Sequence, residues 1–86
     1  MPQPQIDIFD CEQESLGWTR EITFLFKGKL GKMLLAWSSN EDYTNCEVLD
    51  EPDFATEQDA DEFDGWFDSI LPEDWDKASA TWFEEN

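Results

Sequence analysis

The sequence predicts an α+β domain: a small antiparallel sheet of three to four strands with two short C-terminal acidic helices packed on one face. Three observations predict it. Apolar residues alternate with period two in the first half of the 86-residue chain and recur at helical spacing in the second. The charge divides at the same place: residues 1–40 hold five acids and four bases, whereas residues 41–86 hold 17 acids and only Lys77. Of the formal charge of −17, the second half therefore carries −16. Finally, 40% of residues are hydrophobic and 15% aromatic, with five Trp and seven Phe, which is too rich in core formers for a disordered acidic tail.

The elements follow in order. Ile6, Ile8 and Phe9 form a short apolar run after a Pro-rich start. From Trp18 to Lys27 the pattern alternates, with Trp18, Ile22, Phe24 and Phe26 on one face and Thr19, Glu21, Thr23 and Lys27 on the other. Leu25 is the apolar exception on that second face. This is a half-buried antiparallel strand. Gly28-Lys29-Leu30-Gly31 supplies the glycines of a tight connection. A second strand then runs from Lys32 to Trp37, with Met33, Leu35 and Trp37 facing one way and Leu34 and Ala36 the other. Ser38 to Asp42 reads as a polar turn and Tyr43 to Leu49 as an edge-like strand.

Asp50-Glu51-Pro52-Asp53 ends the strand pattern. Thr56 is placed to cap a helix, with Asp59 at its third position. Ala60, Phe63, Phe67, Ile70 and Leu71 recur at helical spacing, with Trp66 on the flank, and Gly65 weakens the middle by about 1 kcal/mol relative to Ala. Pro72 stops this helix and starts the next, followed by Glu73 and Asp74. Trp75, Ala78 and Trp82 form the apolar face of that last helix. One domain spans residues 1–86, strand-rich over 5–49 and helical and acidic over 56–84, and no internal repeat is visible.

This balance excludes whole classes of function. A surface with 22 acids against 5 bases cannot neutralise phosphates, so direct nucleic-acid binding and attachment to anionic lipid are ruled out. With no His, the commonest general base and metal ligand is missing. No apolar run approaches the ~18 residues of a membrane span, and Met1-Pro2-Gln3-Pro4-Gln5 has neither a basic nor an apolar leader region. The expected location is therefore the cytoplasm, with Cys11 and Cys46 as reduced thiols.

The most informative local pattern lies on the acidic side of the first helix. Glu57, Asp61, Asp64 and Asp68 are spaced by four, three and four residues, which puts them in one stripe. Neighbouring charges in it are displaced by roughly 4.5–6 Å along the axis, of the same order as successive phosphates on a nucleic-acid strand. Asp59 and Glu62 are expected to broaden the stripe, and Asp50, Glu51 and Asp53 to extend it backwards. Like charges at these spacings destabilise a helix, and no lysine is interspersed to relieve them. A solvated helix face would also be acidic. The missing lysines and the concentration of charge in one half favour phosphate mimicry. Trp66, between the apolar and acidic faces, and Phe54, in the acidic loop, are each read either as core or as the aromatic anchor a specific interface needs.

Other chemistries fit less well. Among 22 carboxylates some pair always falls at a catalytic distance, and so small a domain leaves little room for a substrate cleft of ~300–1,000 Å³ beside its core. Neither cysteine has a His to activate it. A calcium loop begun at Asp59 fails in register, with Phe63 at its fifth position and Ile70 at its twelfth. The bases Arg20, Lys27, Lys29 and Lys32 are expected to pair with the chain's own acids or to guard the hairpin against edge association. No catalytic residue, metal or cofactor is expected.

In size and charge the chain resembles the broad class of small acidic inhibitors, which includes phage proteins that block restriction, CRISPR or other nucleases and immunity proteins that neutralise nuclease toxins. The resemblance is one of composition. The leading expectation is a non-enzymatic inhibitor that occupies the nucleic-acid site of a basic protein or nuclease complex, and the repulsive acidic surface argues for a monomer unless the sheet edge pairs. The expected partner-binding residues are Asp53, Glu57, Asp59, Asp61, Glu62, Asp64, Trp66 and Asp68. The alternative is an acidic adaptor or assembly factor that docks on a basic protein without blocking nucleic acid, using the exposed side of the sheet near Leu25 and Leu34.

Overall fold

The computed structural model describes residues 5–15, 17–37 and 44–86. The Pro-rich start before Gln5, the expected turn at 38–42, Tyr43 and the side chain of Trp37 lie outside the described residues. The strands β1 (Asp7–Gln13), β2 (Thr19–Phe26), β3 (Lys29–Trp37) and β4 (Thr44–Asp50) form a fully antiparallel sheet in the order β1-β2-β3-β4. The helices α1 (Glu57–Ser69) and α2 (Pro72–Glu85) follow. The architecture is the α+β fold expected, with four strands.

Register explains the layering. Ile22 pairs with Cys11 and Met33, and Phe24 pairs with Ile8 and Gly31, so these positions share the face that meets the helices. Ile22, Phe24, Met33 and Leu35 on the sheet are fully buried with Phe63 of α1 and Trp75 of α2. Phe24 is central: its ring centroid lies 5.9 Å from that of Phe63 and 5.6 Å from those of both Trp66 and Trp75. Gly31 makes room for it, because a Cβ there would come within 2.7 Å of Phe24 Cζ.

The helix boundaries follow local chemistry. Thr56 caps α1, its hydroxyl accepting the Asp59 N–H at 3.2 Å. Pro72 opens α2, and the Asp74 carboxylate accepts the Leu71 N–H at 3.0 Å. Leu71 is consequently a link between helices. It is 53% exposed rather than part of the core face expected for it.

Two further expectations are corrected. The hairpin turns at Lys27-Gly28, not at Gly28 to Gly31; both turn residues have positive φ, 50° and 79°. That pair matches the two-residue turn whose twist suits a hairpin, and it leaves Leu30 and Gly31 in β3. Trp18 precedes β2 and is 45% exposed, whereas the inward position next along belongs to Arg20.

Arg20 pins α2 to the sheet. Its guanidinium donates to Ser79 Oγ at 2.6 Å, to the Asp76 carboxylate at 3.4 Å and to Gln13 Oε1 at 2.8 Å. It also lies 5.2 Å from the Phe83 ring centroid. Ser79, fully buried, donates in turn to the Trp75 carbonyl at 2.8 Å. Replacing Arg20 with Met keeps the aliphatic stem but strands the Ser79 hydroxyl as an acceptor. R20M is expected to cost about 1–3 kcal/mol, read as a lower midpoint in urea unfolding. An unchanged midpoint would show that the clasp contributes nothing.

Candidate functional site

The candidate site is built on α1. Its core face is formed by Phe63, which is buried, and by Ala60, Trp66 and Phe67, which are partly buried. Glu57, Asp61, Asp64 and Asp68 are all exposed, and among the described residues none of the four takes part in an ion pair. They span about 16 Å of helix axis. Two of them stand against the helix dipole. The last turn of α1 carries no base, so Asp68, and Asp64 a turn before it, lie toward the negative end, where a cation would be favoured.

Asp59 and Glu62 do not widen this stripe. At roughly 100° per residue they lie about 130–170° around the helix from its centre. Both are turned to the hairpin: Lys27 Nζ bonds to the Glu62 carboxylate and lies 3.4 Å from Asp59 Oδ1. The hydrogen bond to Glu62, with the neighbouring Asp59, raises the Lys27 ammonium above its ordinary pKa. These two acids and Lys27 therefore form a clamp between β2–β3 and α1. Asp53 is exposed in the loop before α1, and its main-chain carbonyl accepts from Lys29 Nζ. Lys32 pairs with Glu21 at 3.3 Å. Arg20, Lys27 and Lys32 are thus paired with the chain's own acids, as their sequence setting implied, whereas Lys29 meets a main-chain carbonyl.

The aromatic residues read as possible anchors are bound into the interior. Trp66 is partly buried, its ring against Phe24, Phe26, Phe63 and Trp75, and its indole N–H donates to the Gln5 carbonyl at 3.3 Å. Phe54 packs against Phe26 and Phe63. Trp75 is fully buried, and its indole N–H has no acceptor among the described residues.

The two thiols lie on opposite edge strands of the sheet, Cys11 in β1 and Cys46 in β4, and both are free. Two strands lie between them, so they are about 14 Å apart or more, beyond the ~7 Å limit for a bridge between Cα atoms. Burial pushes both thiols from an ordinary 9.0 up to about 11. The folded state thus keeps its thiol protons longer than the unfolded chain. Stability from this source is fully present below pH 9.0 and falls as pH rises toward 11. Native alkylation by iodoacetamide at pH 8 is expected to run at least about tenfold slower than in urea. Equal rates would show that the thiols are not sequestered.

A groove of about 490 Å³ lies between the β1–β2 edge and α2, lined by Ile6, Asp7, Ile8 and Leu25 on the sheet and by Ala78, Thr81, Trp82 and Glu85 of α2. Among the described residues no group of three or more Cys, Asp or Glu side chains is arranged to hold a metal ion. No described helix is long and apolar enough to cross a membrane. No family model, curated protein or solved structure matches the chain.

Proposed function

We propose that this protein is a small acidic inhibitor whose α1 stripe imitates nucleic-acid phosphates and occupies the basic DNA- or RNA-binding site of a target protein. The observation that carries this reading is the contrast between two sets of acids on one helix. Asp59 and Glu62 are paired with Lys27, whereas Glu57, Asp61, Asp64 and Asp68 face outward without an ion pair among the described residues. An arrangement serving only stability would place cations near Asp64 and Asp68, at the end of the helix that favours them. Association would be steered by the field of a chain of net charge −17 and would weaken steeply with salt. The target class is a cytoplasmic nuclease or another basic nucleic-acid-binding protein, as in phage anti-restriction, anti-CRISPR or toxin-immunity systems. No catalysis and no cofactor enter this mechanism.

The test is competition. The immobilised protein should capture a nucleic-acid-binding protein at low salt and release it at high salt, and duplex DNA or RNA should displace that partner. A partner that binds the protein and its nucleic acid at the same time would refute mimicry. It would support the adaptor reading instead.

A further inference from the structure

We propose that the helix-free face of the sheet is a second docking surface, for an amphipathic, Lys/Arg-rich α-helix of a partner protein. The face is defined by register. Leu25 lies opposite Leu30, and Thr23, Glu21 and Thr19 of β2 lie opposite Lys32, Leu34 and Ala36 of β3. All of these alternate with the positions buried beneath the helices. None of these residues belongs to the buried core cluster or to the hydrophobics packed against it, and Leu30 is 50% exposed.

Its acids form two edge rows, and the strip between them carries Leu25, Leu30, Leu34 and Ala36 interrupted by Thr19, Thr23 and the Lys32–Glu21 ion pair. On the β1 edge Asp7 pairs with Leu25, Asp10 with Thr23 and Glu12 with Glu21, so the three acids share the face. On the β4 edge Glu47 pairs with Leu34 and Asp50 with Lys32. The rows are separated by three strand spacings, about 14 Å. An α-helix with its side chains is about 10–12 Å across. A helix laid along the central strands would rest its apolar face on Leu25, Leu30 and Leu34 and reach both acidic rows with flanking cations. The surface also has a recess for one such cation: a depression of about 140 Å³ lined by Glu12, Gln13, Glu14, Thr19, Glu21 and Leu34. There an alkyl stem would meet Leu34 and its charge the carboxylates.

Charge complementarity selects this occupant. A second copy is disfavoured, because a two-fold contact would set the β1 and β4 acids of one molecule against those of the other. An uncharged apolar partner would leave the carboxylates of both edge rows facing it with only Lys32, already paired with Glu21, as counter-charge. The surface is independent of the α1 stripe, which belongs to the helical layer.

The probe is a synthetic Leu/Lys amphipathic helix of about 18 residues, long enough to fold on contact. Its control is a peptide of identical composition permuted to remove the apolar face. Both are titrated into the protein by calorimetry at about 150 mM NaCl, where diffuse attraction is screened beyond ~8 Å. The amphipathic peptide should bind at least about tenfold more tightly than the permuted one. L30Q/L34Q, which leaves the net charge unchanged, should abolish that difference, and D61K/D64K should preserve it. Should L30Q/L34Q lower the melting temperature, L30Q alone at the half-exposed site is the variant read. Equal binding of the two peptides, retention of the difference in the glutamine variants, its loss in D61K/D64K, or self-association in place of peptide binding would each overturn the proposal. Failure of the α1 reading appears separately, in the competition with DNA or RNA.

Discussion

With Asp61 and Asp64 both replaced by lysine, the protein is expected to lose its nucleic-acid-displaceable partner while its melting temperature holds or rises. The two readouts move apart for a physical reason. Both side chains are exposed and without an ion pair among the described residues, so their reversal removes no salt bridge there. It replaces repulsion along α1 with attraction, because Glu57 and a lysine at 61 then stand four residues apart in the favourable order. That change is expected to stabilise the helix by a few tenths of a kcal/mol per pair. At an interface the same reversal sets cations against a basic site, where like-charge contact costs several kcal/mol, so affinity should fall at least about a hundredfold. Capture at low salt followed by thermal melting measures both quantities. Undiminished capture would refute the assignment of the stripe.

The largest expected effect on the fold is at Phe24. F24A is expected to destabilise the protein by about 3–5 kcal/mol, the usual cost of deleting a buried phenyl ring. A domain of this length has roughly 4–13 kcal/mol to lose, so the variant should melt about 15–30 °C lower or not fold at all. The reason is position. One ring touches Phe63, Trp66 and Trp75 at once and covers Gly31, so its removal opens a cavity shared by the sheet and both helices. F24L keeps most of the volume and should cost much less. A loss of under about 1 kcal/mol in F24A, from urea unfolding, would show that the surrounding rings collapse into the space.

The parts legible in the sequence were those set by local chemistry. Alternation located β2 and β3, Thr56 marked the start of α1, and Pro72 marked that of α2. Several of the misreadings trace to a partner distant in sequence, and that of Leu71 to its neighbour Pro72. The alternation assigns Arg20 to neither face, because the acceptor that lets a guanidinium take an inward place, Ser79, lies 59 positions away. Asp59 and Glu62 looked like part of the stripe because helical spacing alone does not reveal Lys27, which reaches them from the hairpin. Leu71 fitted the apolar period yet fell on the link, since Pro72 ended the helical run before it. The turn at Lys27-Gly28 was missed because a lysine at positive φ has no sequence signal of its own; the pairing of Phe26 with Lys29 leaves these two residues to make the turn.

The order β1-β2-β3-β4 also bears on how the protein is made. Each strand pairs with its neighbour along the chain, so the sheet assembles by closing short loops, which is entropically inexpensive and fast. The contacts of Arg20 with Asp76 and Ser79, by contrast, close loops of 56 and 59 residues. During synthesis the sheet can therefore form while α2 is still inside the ribosome. In that interval Ile22, Phe24, Met33 and Leu35 have no helical cover. Shielding of that surface then falls to whatever meets the nascent chain, until α2 emerges and the helices close over it.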